Sequence, residues 1–309
     1  MRREGRRGWW WLLQAALFLG VSAIIGRQLS RHWSEFPSGL SLTVHPMWLL
    51  MSTLLVGLTY LLQIESWRGL LAGWGQSLRY RDAARIWFLA NLGRYVPGKV
   101  WSVAGMVVLA QRVGVAPWAA TASAIAVQAL GIGTAAAVVA LAAPGAESTV
   151  RLVIAAGAAA VTVGFLAWEG FTSRARRLHA RLEDLRPLPP LVLAWSGLLT
   201  FVSWVSYGAV FWSLGLGLGL PVPSLLVACG VFALGYVAGL LALFAPGGAV
   251  IREGVFTALL APTLGLPGAL ALSLASRIQL TLTEAATGLA AITVMPPLKE
   301  KSVERPDDR

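Results

Sequence analysis

The chain is 309 residues long, 57% hydrophobic and only 13% charged, with a mean hydropathy of +0.69, whereas soluble domains carry about 25% charged residues. That balance excludes a soluble globular protein and predicts an all-α polytopic integral membrane protein. The net charge of +11 does not point to nucleic acid, because the basic residues lie in short loops beside apolar runs; the single cysteine, Cys229, excludes a disulfide framework or a thiolate metal site within one chain.

At the start, Arg2, Arg3, Arg6 and Arg7 precede an apolar run over residues 9–26. It is too long for a signal-peptide core and has no clear small-residue cleavage site, so it reads as a retained first span, with residues 1–45 forming that span and an outer loop. Further runs long enough to cross lie at 47–64, 117–143, 150–168, 191–214 and 268–294, giving about six full spans in all. Trp48, Trp168 and Trp195 near their ends suit the membrane–water boundary, where the ring stays in the headgroup layer and the N–H reaches water.

Two stretches between these spans are interrupted. Residues 82–113 contain Asn91-Leu92-Gly93-Arg94-Tyr95-Val96-Pro97-Gly98-Lys99, and residues 224–264 contain Ala245-Pro246-Gly247-Gly248-Ala249-Val250-Ile251-Arg252-Glu253-Gly254. Proline removes a helix donor and clashes with the preceding turn, and glycine lets the chain reverse. Each stretch is expected to fold as a broken, re-entrant helical hairpin, giving eight or so membrane helices in total. The first hairpin's arms, about 14 residues or roughly 20 Å each, pass the midplane without crossing about 30 Å of hydrocarbon. Irregular backbone at that depth requires an enclosed or watery surrounding. In the second hairpin the arm 224–245 is long enough to cross completely, which argues against a simple dip there.

The breaks recur in order. Pro97-Gly98 is followed by Gly114-Val115-Ala116-Pro117, and Pro246-Gly247 by Gly265-Leu266-Pro267; Gln128 and Gln279 then occupy matching places in the following spans. A duplication follows, with half one at 46–145 and half two at 191–295, joined through 146–190 and ending in a polar tail, 296–309. With the N-terminus in the cytoplasm, most of the 25 Lys and Arg residues fall on the inner side, the C-terminus included. The halves are then inverted, an arrangement used by alternating-access carriers.

The candidate substrate-binding residues are the charges beside the breaks and within the last span: Arg94, Lys99, Arg252, Glu253, Arg277 and Glu284, with Tyr95 beside the first break. A charged side chain at a helix centre costs roughly 2.5–3.5 kcal/mol, so each normally faces a cavity or a partner. The functional reading is a cationic pocket taking a phosphate head group through guanidinium forks. The plainer reading is neutralisation, Arg252 with Glu253 or Glu284 and Arg277 with Glu284 two turns away. No catalytic or metal-ligand spacing is present among His32, His45 and His179, so no enzyme activity, cofactor or metal is expected.

The stretch NLGRYVPGKVWSVAGMVVLAQRVGV at residues 91–115, APGGAVIREG at 245–254 and RIQLTLTEAATG at 277–288 together resemble the lysylphosphatidylglycerol synthase transmembrane region family, a flippase-like membrane domain also seen in standalone YbhN-type proteins. The resemblance implies translocation of a phosphate-bearing lipid, of phospholipid or polyprenyl-phosphate type, between leaflets of the cell membrane. Aminoacyl transfer is not implied, since the short tail after the last span leaves no room for that domain. Two rival expectations are a subunit presenting a lipid-linked substrate to a membrane glycosyltransferase or lipid-modifying enzyme, and a carrier of a small soluble anion.

Overall fold

The computed structural model describes residues 43–95, 100–142, 186–242, 248 and 250–298, with a few isolated positions between 143 and 185. The expected spans at 9–26 and 150–168, with Trp168, lie outside the described residues, as do Pro97, Gly98, Lys99, Pro246 and Gly247. Among the described residues there are seven α-helices and no strand: α1 Pro46–Gly73, α2 Tyr80–Asn91, α3 Val100–Arg112, α4 Pro117–Ala142, α5 Pro190–Gly217, α6 Leu225–Leu241 and α7 Ile251–Thr293, with a 3₁₀ turn Leu92–Tyr95 after α2. The eight or so expected give way to seven because two expected spans lie outside the description. In addition, the second arm of the second break and the last span follow each other directly in α7, interrupted only at Gly265, whose φ +70° and ψ 162° are not helical. Four helices, α1, α4, α5 and α7, are long and apolar enough to cross a membrane.

The longest contact is the antiparallel seam between α1 and α5. Both helices have 28 residues and begin on a proline, which needs no intrahelical partner there. Small hydroxyl residues line the seam and let the backbones approach. Ser52 Oγ donates to the Val210 carbonyl at 2.9 Å, Thr59 Oγ1 to Ser206 Oγ at 2.8 Å, and Ser196 Oγ to the Ser66 carbonyl at 3.2 Å. Their outer faces carry Leu50, Leu54, Leu58 and Leu61 on α1, and Leu191, Trp195, Leu198 and Val202 on α5, all exposed. Polar groups inside with large apolar stripes outside is the order lipid imposes.

Two constant shifts in residue number relate elements in the first part of the chain to elements in the second. A shift of 144 carries α1 onto α5 (46 to 190, 73 to 217) and Gly75, φ +72°, onto Gly219, φ +71°. The turns closing the two helices are bonded alike: Gly75 N–H to Ala72 O and Gln76 N–H to Leu71 O, against Gly219 N–H to Leu216 O and Leu220 N–H to Gly215 O. A shift of 151 carries the start of α3 and the end of α4 onto the two ends of α7 (100 to 251, 142 to 293). It also carries Gly114, φ +89°, onto Gly265, φ +70°, where α7 kinks between Pro262 and Pro267. The two arms of α7, on either side of Gly265, thus correspond in position to α3 and α4.

Both Pro-Gly stretches fold back on themselves. A Cβ placed on Gly93 would lie 2.8 Å from the Ser102 nitrogen, and one on Gly105 3.5 Å from Ala90 Cα, so α2 and α3 pack antiparallel through small residues. A Cβ on Gly239 would lie 3.2 Å from Gly248 Cα and 3.3 Å from Arg252 Cβ, while Gly235 packs on the Phe256 ring, pairing α6 with the first arm of α7 in the same sense. Helix α6 ends at Leu241 with 17 residues, about 26 Å of helix, so the arm expected to run through 224–245 is shorter than the sequence implies. Phe211, Phe232 and Phe256 lock α5, α6 and α7 together with ring centroids 4.7–5.8 Å apart.

Candidate functional site

A cavity of about 90 Å³ opens where the tips of the two hairpins meet the second half of α7. Hairpin one contributes Asn91, Arg94 and Ser102; hairpin two contributes Tyr236, Gly239, Gly248 and Arg252. Helix α7 brings in Arg277, Thr281 and Glu284, and α4 brings in Gln128. Gly248 is held at φ +68° against Gly239, a conformation and an approach that only glycine meets without strain.

The charged residues singled out in the sequence converge here. Arg94 donates through Nη1 to Glu284 Oε1 at 2.5 Å and through Nη2 to Asn91 Oδ1 at 2.9 Å, tying the first hairpin to the last span. Arg277 donates to Glu253 Oε1 at 2.8 Å, joining the two arms of α7 across its kink. Arg252 Nε lies 3.4 Å from the same oxygen and the guanidinium sits 5.6 Å from the centre of the Phe256 ring. The expected pairing of Arg277 with Glu284 on one helix face does not occur: the kink at Gly265 brings Glu253 back to Arg277, and Glu284 is taken by Arg94 from another element. The contact between Arg252 and Glu253 is present, but as an ion pair without hydrogen-bond geometry.

Three guanidinium groups therefore face two carboxylates in this cluster, leaving one positive charge in excess among the described residues. Arg252, Glu253 and Glu284 are 8%, 8% and 6% exposed. Neither Arg252 Nε nor Glu253 Oε2 has a hydrogen-bond partner among the described residues. Of the remaining candidates, Tyr95 lies in the 3₁₀ turn, with its side chain outside the described residues, as are Lys99 and four of the five break residues.

The two glutamines that look equivalent in sequence part company. Gln279 is helix glue, donating to Ser52 Oγ at 2.8 Å, whereas Gln128 faces the cavity. Nothing in the sequence marks Tyr236 as a lining residue, since it lies in an apolar run; Asn91 at least begins the first motif. Cys229 is buried against Gly208 in the α5–α6 contact, Gly217 packs closely on Leu49, and Gly219 forms the turn after α5 at φ +71°. Among the described residues no group of three His, Cys, Asp or Glu could hold a metal ion.

Residues 9–284 match the family model described as the lysylphosphatidylglycerol synthase TM region. The chain belongs to that family. No curated protein matches it. Membership in the lysylphosphatidylglycerol synthase TM region family makes this a membrane domain associated with lipid-related functions, in keeping with its four long apolar helices. The family match takes in both hairpins and ends at Glu284, the acceptor for Arg94.

Proposed function

We propose that the protein moves a phosphate-bearing lipid between membrane leaflets, seating the head group between the hairpin tips while the chains stay in the bilayer. The observation that carries this reading is Arg252, which lines the cavity, is 8% exposed, and makes no hydrogen bond among the described residues. An arginine so placed is an expensive charge in an apolar interior, and an entering phosphate relieves it through two parallel N–H···O bonds. Family membership supports the lipid side of the reading.

On this proposal the two halves are inverted repeats and the hairpins are re-entrant. Helices α2 and α3 have 12 and 13 residues, about 18–20 Å each and short of the hydrocarbon thickness. Rocking one half against the other would then open the cavity to each leaflet in turn. The N- and C-termini face the cytoplasm, the protein resides in the cell membrane, and no chemical step is catalysed.

The test is reconstitution into liposomes carrying tail-labelled anionic phospholipid or polyprenyl phosphate, with the outer-leaflet label bleached by a membrane-impermeant reductant. Wild type should bleach the inner pool well above protein-free vesicles, and Arg252→Ala should fall at least tenfold. Transport of no anionic lipid above the protein-free rate overturns the reading, and an unaffected Arg252→Ala removes the cavity from it.

A further inference from the structure

The charged cavity is half of a longer cleft. A second chamber of about 70 Å³ shares Asn91, Arg94, Gln128 and Tyr236 with the first and extends away from the arginine cluster between α1, α2, α4 and α5. Its chemistry differs. The lining contains no carboxylate, and its one charged side chain, Arg94, is already held by Glu284 and Asn91. What it offers, besides Asn91 already bonded to Arg94, is two further primary amides and aromatic surface. Gln63 and Gln128 have no hydrogen-bond partner among the described residues, and the rings of Trp204 and Tyr236 stand against each other at 5.1 Å. The Trp204 N–H is spent on the Gly131 carbonyl, which leaves that ring to offer its apolar surface.

Resting on the phosphate-lipid reading, we infer that this second chamber receives a neutral polyhydroxyl group, a polyol or sugar esterified to the phosphate, and selects against a cationic head group. An amide presents a donor pair and an acceptor in one plane, matching vicinal hydroxyls, and aromatic faces cover the C–H surface of such a ring. An ammonium finds no anion here: of the two carboxylates nearby, Glu284 holds Arg94 and Glu253 holds Arg277. It would meet the arginine cluster instead, a like-charge contact that penalises binding. The two chambers thus divide one ligand, with the phosphodiester at Arg252 and the hydroxyls at Gln63 and Gln128.

The test uses the full chain in nanodiscs and short-chain lipids that share one phosphodiester and differ beyond it: phosphatidylinositol, phosphatidylethanol and phosphatidylethanolamine, with binding followed by tryptophan fluorescence. The inositol lipid should bind about tenfold more tightly than the ethyl lipid, the size of one or two hydrogen bonds, and the ethanolamine lipid most weakly. Gln63→Leu, at a residue that lines the second chamber and not the first, should abolish the preference for inositol over ethyl while leaving phosphatidylethanol affinity within about twofold. Arg252→Gln should instead weaken the inositol and ethyl lipids alike. Equal binding of these two lipids by wild type, or a Gln63→Leu variant that weakens both equally, overturns the second-chamber assignment and leaves the phosphate reading standing. If Arg252→Gln changes nothing, or neither lipid binds, the phosphate reading falls and this inference falls with it.

Discussion

Arg94 and Glu284, 190 residues apart in the chain, form the ion pair that fastens the first hairpin to the last span, at 2.5 Å with Glu284 6% exposed. Removing one partner strands the other in a poorly solvated site. Glu284→Gln should cost about 3 kcal/mol, the lower end for breaking a buried pair because Arg94 is partly exposed. Arg94→Gln should cost a similar amount, and the double variant less than the sum of the two. Thermal unfolding in detergent across this cycle measures the coupling; additive losses would remove the pair as the fastening.

At the tip of the second hairpin the tolerance is steric. Gly248→Ala combines a left-handed backbone, worth about 1–2 kcal/mol against any residue with a Cβ, with a Cβ only 2.9 Å from Gly239 Cα. Backbone cannot swing aside as a side chain can. The variant should unfold at a clearly lower temperature, whereas Gly254→Ala, where an added Cβ meets nothing within 4 Å, should be neutral or slightly stabilising. Equal melting of the two variants would contradict this.

The seam between α1 and α5 offers a test of equivalence. The shift of 144 carries Ser52 onto Ser196 and Ser66 onto Val210, and the two serines make the matching bond, each hydroxyl to the carbonyl opposite. Interhelical hydrogen bonds of this kind average about 0.6 kcal/mol. Ser196→Ala should cost about that much and Ser52→Ala more, because Ser52 also holds the Gln279 amide at 2.8 Å. Denaturation in mixed micelles resolves the order of the two.

The long crossings and the hairpin breaks are legible in the sequence because their causes are local. An apolar run of the right length makes α1, α4 and α5, and Pro-Gly marks the turn that folds α2 onto α3. The charge pairing is not legible. Seven-residue spacing puts Arg277 and Glu284 on one face, yet each is claimed by a partner that only the tertiary fold supplies. Gln128 and Gln279 hold matching places and differ only in what the neighbouring helices present, a serine hydroxyl to one and a cavity to the other. Pro262, Gly265 and Pro267, by contrast, are legible: they read as a break, and Gly265, at φ +70° and ψ 162°, is where the helical backbone of α7 is interrupted.

The sense of the seam also makes a topological prediction. Helices α1 and α5 run antiparallel over their whole lengths, since His45 N–H bonds the Gly217 carbonyl at one end and Trp74 Nε1 bonds the Arg186 carbonyl at the other. Gly75 and Gly219, the turn residues after each helix, therefore lie at opposite ends of a packed pair about 42 Å long. Both helices are long and apolar enough to cross, so the two glycines should face opposite compartments. The native Cys229 is buried and is the chain's single cysteine, which keeps background labelling low. Cysteines placed at Gly75 and Gly219, one at a time, should react with an impermeant maleimide from opposite sides of sealed cells or inverted vesicles. Because both positions carry positive φ, Gln76 and Pro221 serve as neighbouring sites where the left-handed strain is absent. Labelling of both ends from one side would mean that this pair does not span the membrane, and the inverted arrangement of the halves would go with it.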